Sequence, residues 1–333
     1  MLVSRRSAVA LMGAAAAAPL ARPAFAQGTR TVVGALRFTS HAPSFVALER
    51  GYFAEEGLDV ELSFFEAAQP MAVAVAGRDV DFAVTAITGG LVSLAQKGAA
   101  RVIAGGLREE PGIPGQMILA SNAAFEAGLK APADLGGKRF GVTQPGSSFH
   151  YMGARIAEAE GVEMEFVPLQ KTPALIGALS SGQIDAWSIV PHIGTPLVEG
   201  GKAALIGKVS DYLPDYQVTT VFTSAETAAN ERDRTEAFLR AFQRGADDFN
   251  AALVDRTAGD DAMEEMVALL HPYVYPDREL EAARGPIVAG AMRMSTALAE
   301  ASIRDQLDWF ASEGLTDAVP YETVVDTSYV PAG

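Results

Sequence analysis

The 333-residue chain contains no cysteine, and this absence limits both its stabilisation and its chemistry. Without thiols the chain can form neither disulfides nor thiolate metal sites, and a lipid anchor attached through cysteine is excluded as well. Its stability must therefore come from packed apolar cores, and a chain of this length can bury two of them.

Basic residues and histidines are also scarce. The 26 Lys and Arg residues are outnumbered by 41 Asp and Glu, which gives a formal net charge of −15. Such a surface repels nucleic acid and anionic membranes, so neither is predicted as a partner. It does not fix the sign of a small ligand, because a local site can oppose the global charge. The four histidines are too scattered to predict a metal site, and no cofactor is predicted: His41, His150, His192 and His271.

The N-terminal segment has the composition of an export signal. Arg5 and Arg6 precede an alanine-rich apolar stretch at 8–20, and the small residues of 24–26 precede Gln27. A charged start, a short apolar core and a small-residue cleavage site are typical of a secretory signal peptide. The stretch is shorter than the about 20 apolar residues of a membrane span. We therefore predict that 1–26 is a cleaved signal directing the chain to the periplasm, of twin-arginine type or, alternatively, of the general secretory type.

One order of elements occurs twice in the sequence, which indicates a duplicated α/β unit. The intervals from Gly57 to Asp81 and from Gly161 to Asp185 are equal. We expect Asp81 and Asp185 to bond nearby backbone. The first copy has predicted strands at 31–36, 58–62 and 80–84 with helices at 43–50 and 70–76; the second has strands at 138–142, 162–166 and 184–189 with helices at 149–159 and 173–180.

Alternating strands and helices predict an α/β fold of two lobes, each built from parallel βαβ units. Two segments must connect the lobes, and we place this two-strand hinge near Ala120 and Phe222. Later helices, at 236–253, 263–270 and 303–313, are expected to complete the first lobe. The predicted division is 27–119 for the first part of lobe 1, 120–220 for lobe 2, and 221–333 for the return to lobe 1.

Ligands of open α/β sheets bind at the carboxyl ends of the strands, so the loops after four predicted strands are candidate ligand loops. They occupy 40–42, 85–88, 146–148 and 188–192, and facing lobes would bring them to one cleft. The candidate ligand-binding residues, most of them in these loops, are Ser40, His41, Ala86, Thr88, Arg108, Gly146, Ser147, Ser148, His150, Trp187 and His192.

Ser147 and Ser148 precede a predicted helix, where free N–H groups and the helix dipole favour an anion. The alternative is a plain N-cap without a ligand. His150 follows too closely, and without a Gly-x-Ser-x-Gly turn, to indicate a serine nucleophile. We interpret it as a residue of the helix face near the cleft.

Three other candidates have equally open alternatives. His41 either bonds a ligand or caps the following helix. Trp187 either forms an apolar ligand wall or fills the core. Arg108 either offers a cation to an anionic ligand or pairs on the surface with neighbouring Glu109 or Glu110.

Four stretches resemble one known family across nearly the whole chain downstream of the signal. Residues 41–60, 134–142, 146–151 and 309–315 are similar to the NMT1/THI5-like substrate-binding proteins of ABC importers, which bind sulfonates, taurine or thiamine precursors. The resemblance implies the two-lobed periplasmic-binding-protein fold of type II, and 146–148 as the ligand loop of the second lobe. Relatives that make the thiamine pyrimidine use a cysteine-rich motif, which this chain lacks.

The function expected from these features is ligand capture without catalysis. We predict a monomeric periplasmic receptor that takes a small organic anion, such as a sulfonate or an aromatic carboxylate, to an ABC-transporter permease. Alternatives are a receptor for a pyrimidine or similar heterocycle, a receptor for another transporter class, and an enzyme on the same fold. A signal peptide disfavours the enzyme.

Overall fold

The computed structural model describes residues 28–329 and contains two five-stranded sheets flanked by helices. The predicted signal and its cleavage site lie outside the described residues. The first sheet consists of β1 (Thr29–Ala35), β2 (Leu58–Phe64), β3 (Phe82–Thr85), β4 (Ala100–Gly105) and β10 (Thr220–Ser224). The second sheet consists of β5 (Met117–Ser121), β6 (Arg139–Val142), β7 (Glu165–Pro168), β8 (Ala186–Ile189) and β9 (Ala203–Lys208).

In both repeats, helices alternate with the parallel strands in the predicted order. The helices are α1 (Ala42–Glu49), α2 (Tyr52–Glu55), α3 (Ala68–Ala76), α4 (Gly89–Gln96), α5 (Asn122–Glu126), α6 (Ser148–Glu160), α7 (Thr172–Ser181), α8 (Pro191–Glu199), α9 (Ala225–Asn230), α10 (Arg232–Phe249), α11 (Asp260–Val274), α12 (Leu280–Ala289), α13 (Glu300–Ser312) and α14 (Tyr321–Val324). No helix of residues 28–329 is long and apolar enough to cross a membrane.

The two sheets have equivalent strand orders, which agrees with the repeat in the sequence. The orders are β2-β1-β3-β10-β4 and β7-β6-β8-β5-β9. The first three strands of each are parallel, and the fourth is antiparallel to its neighbours. The antiparallel strand of each sheet comes from a segment that has just left the other sheet. The chain therefore enters the second sheet at β5 and returns to the first at β10.

Asp81 and Asp185 occupy equivalent places and do what the sequence predicts. The Asp81 carboxylate accepts a hydrogen bond from the Val32 N–H at 2.7 Å, and the Asp185 carboxylate accepts one from the Arg139 N–H at 2.9 Å. Each carboxylate also pairs with an arginine, Arg234 at 3.0 Å and Arg139 at 2.8 Å respectively. These contacts fix β1 to the start of β3 and β6 to the start of β8.

The connection between the sheets differs from the predicted hinge. Ala120 lies within β5 and Phe222 within β10, so the predicted boundaries at 119/120 and 220/221 fall inside strands. The crossing segments are 106–116 and 209–219, which run side by side: the Val218 N–H donates to Leu107 O at 2.9 Å and the Val209 N–H to Gln116 O at 2.9 Å. The apolar runs that suggested the crossings are the first buried strands after them.

The C-terminal helices contact both lobes rather than completing the first alone. Helix α10 packs against α1 of the first lobe, and Phe238 stacks on Phe82 at 4.3 Å. Helix α12 packs against α8 of the second lobe. Asp305 of α13 accepts hydrogen bonds from Tyr151 and Arg155 of α6. Their apolar periodicity predicts the helices but not which lobe each one meets.

Candidate functional site

A cavity lies between the carboxyl ends of the parallel strands of the two sheets. It contains about 540 Å³ of space free of protein atoms, part of it open to solvent. All four predicted ligand loops contribute to its wall. The lining residues are Leu36, Phe38, Ser40, His41, Ala67, Ala68, Thr85, Ala86, Gln116, Thr143, Ser147, Ser148, Phe149, Thr172, Ile189, Val190, Val218 and Thr219.

Five of the predicted ligand-binding residues line this cavity: Ser40, His41, Ala86, Ser147 and Ser148. Ser40, His41 and Ala86 come from the first lobe, and the two serines come from the start of α6 in the second. The geometry thus brings the first-lobe loops and the Ser147-Ser148 loop to one space.

Thr88 and Gly146 stand beside the cavity without lining it. The Thr88 hydroxyl caps α4 by accepting from the Leu91 N–H at 3.1 Å. Gly146 has a left-handed φ of 74°, which a residue with a side chain rarely adopts. Its carbonyl accepts from the Gly89 N–H at 3.0 Å, so it joins the two lobes.

His150 and Trp187 form a layer behind the wall. His150 Nδ1 accepts from the Gly146 N–H at 3.1 Å, so the imidazole is not bonded to Ser147. Trp187 is fully buried, with its ring 5.5 Å from that of Phe149. Phe149 itself lines the cavity. Of the two alternatives for Trp187, the structure therefore places it in the core beneath the ligand wall.

His192 and Arg108 are also set apart from the cavity. His192 Nδ1 lies 3.1 Å from the Thr39 hydroxyl, and the imidazole faces a neighbouring groove that shares Phe38 with the cavity. Arg108 is half-buried at the crossing, where its backbone bridges to Gln217. Glu110 pairs with Arg293 at 2.8 Å, not with Arg108.

The lining residues that the sequence did not indicate include Gln116 and Thr219, from the two crossing segments. The crossing segments border the space between the lobes. Their position in the sequence could therefore have indicated these two lining residues. Phe38, Thr143 and Thr172 likewise stand at ends of strands or starts of helices. Nothing in their local sequence distinguishes them from ordinary loop residues.

Within residues 28–329, no Lys, Arg, Asp or Glu lines the cavity. Burial lowers the pKa of His41 to about 3, so its imidazole is neutral at physiological pH. No group of three or more metal-ligating side chains occurs within 28–329. Backbone dipoles and uncharged side chains at the wall are therefore the donors that can contact an anion directly.

Three helices begin at the cavity wall, at Ala68 (α3), Ser148 (α6) and Thr172 (α7). A helix N-terminus carries about half a positive charge and N–H groups without helical partners. At α6 the Ser147 hydroxyl accepts from the His150 N–H at 3.3 Å, whereas the N–H groups of Ser148 and Phe149 have no partner among the described residues. The wall is thus neutral in formal charge and rich in oriented donors.

The sequence matches a model of the NMT1/THI5-like family over residues 38–252. The chain belongs to the NMT1/THI5-like family. The match begins after β1 and includes the remaining strands of both repeats and all four candidate ligand loops. A search of curated proteins finds no significant match to this member of the family.

Solved structures share the fold of this NMT1/THI5-like protein at low sequence identity. A ligand-binding component of an ABC-type import system from Staphylococcus aureus, with zinc bound, has a TM-score of 0.72 and 15% identity, covering 90% of this chain and 97% of that one. The alkanesulfonate-binding protein SsuA from Xanthomonas axonopodis pv. citri, bound to MOPS, gives 0.70 and 17%, covering 92% and 99%. The periplasmic nitrate-binding protein NrtA from Synechocystis PCC 6803 gives 0.71 and 15%, covering 91% and 87%. These likenesses establish the periplasmic-binding-protein fold.

The lobes of this family member are closed on the cavity by contacts around its rim. Besides the Gly89–Gly146 bond and the Thr39–His192 bond, Lys171 of the second lobe pairs with Glu66 of the first at 3.2 Å. Lys171 and Glu66 are both well exposed, so this pair contributes at most about 1 kcal/mol. The backbone and buried contacts are the stronger constraint on the closed form.

Proposed function

We propose that this chain is the solute-binding receptor of an ABC importer and that its cavity binds a small organic anion. The observation that carries the proposal is the convergence of three helix N-termini on one enclosed space between two lobes. The fold is shared with binding proteins whose names describe import of sulfonate and nitrate. The receptor releases its ligand unchanged, and its proposed partner is a membrane permease, which it meets as a monomer.

Anion binding here depends on donors rather than on a cation. The N–H groups of Ser148 and Phe149, together with the Ser148 hydroxyl, supply donors from the second lobe. From the first lobe Ser40 lines the cavity with a hydroxyl that lies 3.1 Å from His41 Nδ1. A sulfonate or carboxylate accepts several such bonds at once, and its charge is stabilised by the helix dipoles. Because the ligand contacts both lobes, its binding favours the closed form.

A neutral heterocycle is the second candidate, and the absence of charged side chains from the wall favours it. The rings of Phe38 and Phe149 offer apolar surface for a flat molecule, and the neutral imidazole of His41 adds a polar group. Calorimetry with methanesulfonate, benzenesulfonate, benzoate and an uncharged aminopyrimidine separates the two candidates. We expect an anion to bind; heat released by the aminopyrimidine alone would replace the first candidate by the second.

Replacing Ser148 by alanine should weaken binding of the anion by about tenfold to a hundredfold, because a hydrogen bond to a charged group is worth about 1.5–3 kcal/mol. Calorimetry on both proteins measures the change. Ser147→Ala is the matched control, since the Ser147 hydroxyl already accepts from the His150 N–H. It should cost about 1 kcal/mol of stability through the lost cap and have the smaller effect on affinity. Equal affinities for wild type and Ser148→Ala would remove this serine from the site.

We further propose that the chain works in the periplasm after removal of 1–26. The charged start, apolar stretch and small residues before Gln27 support this, although they lie outside the described residues. Intact-mass measurement of the protein from a periplasmic extract should give a chain that begins at Gln27. Recovery of the full-length chain from the cytoplasm would contradict the proposed location.

A further inference from the structure

A buried carboxyl group lies at the hinge and is only half satisfied. Glu109 is part of the first crossing segment and has no exposed surface. Its Oε1 accepts a hydrogen bond from the Gln116 N–H at 2.9 Å, whereas Oε2 is buried with no partner. An ionised carboxylate without a second donor is costly to bury, so burial favours the protonated form of this group.

The Glu109 side chain is covered by the backbone of its own crossing segment, and its main chain is bonded to the other segment. A Cβ atom at Gly115 would lie 2.1 Å from Oε2, which shows how closely the backbone covers this oxygen. From the other segment, Tyr216 O accepts from the Glu109 N–H at 2.9 Å. The Tyr216 hydroxyl is buried and has no partner either. A change in the angle between the segments would therefore act on Glu109 through its main-chain bond to Tyr216.

Few charged groups oppose or stabilise a charge on Glu109. Tyr216 is its titratable neighbour, and burial together with the nearby Glu109 raises the pKa of the tyrosine. Glu110, next in the chain, pairs with Arg293. No Lys, Arg or His of residues 28–329 forms an ion pair with Glu109, and the adjacent Arg108 is half-buried. The surroundings therefore favour the protonated carboxyl group.

The same hinge residues reach the cavity. Gln116, whose N–H bonds Glu109, lines the cavity with a side-chain Nε2 that is buried and has no partner. The Tyr216 ring packs against Tyr151 at 5.2 Å, and Tyr151 belongs to α6, whose first residue also lines the cavity. Glu109 is thus a positioning residue that holds the backbone of a cavity-lining residue.

We propose that Glu109 takes up a proton when the lobes close, so that ligand binding is coupled to protonation of the hinge. The proposal rests on the proposed function, because it requires ligand-driven closure. Its observations are nevertheless independent of the ligand's identity. They are a buried, half-satisfied carboxyl group in one crossing segment and its main-chain bond to the other segment.

The direction of the pH dependence follows from the two environments. Burial raises the pKa of Glu109 to about 7 in the closed form, and the hydrogen bond from the Gln116 N–H only partly opposes this. An open hinge that admits water would return the group toward the ordinary glutamate pKa of about 4.3. Between these values the closed form binds more protons than the open one, so acidification favours closure. Below about 4.3 both forms are protonated and above 7 both are ionised, so the dependence is confined to this window.

A ligand-free experiment tests the coupling directly. The natural chain has no cysteine, so a Glu66→Cys, Lys171→Cys variant can be joined across the cleft by a short bifunctional thiol reagent. Carbon-13 NMR of labelled glutamate carboxyl groups, with Glu109→Gln to assign the signal, then gives the titration of Glu109. We expect a midpoint near 7 in the cross-linked protein, and a midpoint at least about one pH unit lower without the linker. The same midpoint in both would overturn the proposal.

The second experiment measures binding of benzenesulfonate, which stays ionised throughout, between pH 6 and 8. The affinity of the wild type should fall by about tenfold over this range, whereas Glu109→Gln should bind equally at both ends. Glu110→Gln, the matched control at the neighbouring surface carboxylate, should follow the wild type. A flat profile for the wild type, or the same slope in Glu109→Gln, would contradict the coupling. Absence of benzenesulfonate binding at every pH would count against the proposed ligand class and leave the NMR result to decide the coupling.

Discussion

Replacing Ala86 with phenylalanine should abolish ligand binding, with an affinity loss of at least about a hundredfold, or about 2.8 kcal/mol. Ala86 lines the cavity at the carboxyl end of β3, and its methyl group is almost fully enclosed. A benzyl group at this position would occupy the space between the lobes that the ligand needs. Overpacking costs about 1–3 kcal/mol, which a domain stable by about 5–15 kcal/mol can tolerate.

Calorimetry with the best-binding member of the anion panel measures this effect, and circular dichroism checks that the variant is folded. Ala127→Phe is the matched control, because Ala127 is exposed at the end of α5 in the second lobe. It should bind like the wild type. A folded Ala86→Phe protein with wild-type affinity would place the ligand somewhere other than this cavity.

Trp187→Ala should lower the free energy of unfolding by about 3–5 kcal/mol, the usual cost of removing a fully buried large aromatic side chain. Trp187 has no exposed surface and packs edge-to-face on Phe149. The indole Nε1 is buried without a partner, so the substitution breaks no hydrogen bond and its cost comes from lost packing. Urea unfolding followed by circular dichroism gives the change in stability.

Trp187→Phe separates this packing role from direct ligand contact. It retains a ring against Phe149 and removes the unpartnered N–H, so its stability should fall much less than that of Trp187→Ala. The affinity for the ligand should be nearly unchanged in Trp187→Phe. A large loss of affinity with wild-type stability would show that the indole touches the ligand.

The sequence predicted the strands and helices of the repeat because their patterns are local. The predicted helix at 149–159 corresponds to α6, Ser148–Glu160, and the predicted strand at 138–142 to β6, Arg139–Val142. Glycines and prolines end these elements, and the alternation of apolar residues decides which face is buried. The equal intervals in the two halves correspond to two sheets with the same strand order.

The loops of the candidate site could be predicted, but the direction of individual side chains could not. Parallel strands place their carboxyl ends at one edge, and this rule brings Ser40, Ala86 and Ser148 to the same cavity. Trp187 lies in a strand that is buried on both faces, so its local sequence does not say which face meets the ligand. His192 lies in the first turn of α8 and lines a neighbouring groove, and the helical turn that places it there depends on packing rather than on the loop sequence.

Long-range contacts account for the other differences. The crossings lie before the predicted hinge positions because β5 and β10 are already paired within the sheets, and a strand's own sequence does not identify its pairing partner. Gln116 and Thr219 enter the wall only because the two crossings lie side by side. The sequence shows Glu109 as one of two adjacent acidic residues. Its burial could not be predicted, because it results from the packing at the crossing.

The most direct test of the account is native mass spectrometry of the protein purified from its own periplasm, compared with Ala86→Phe prepared in the same way. If the cavity between the lobes captures a small molecule for import, the wild type should carry an additional mass that is released on denaturation, and Ala86→Phe should carry none. The same bound mass on both proteins would contradict the assignment of the cavity as the binding site.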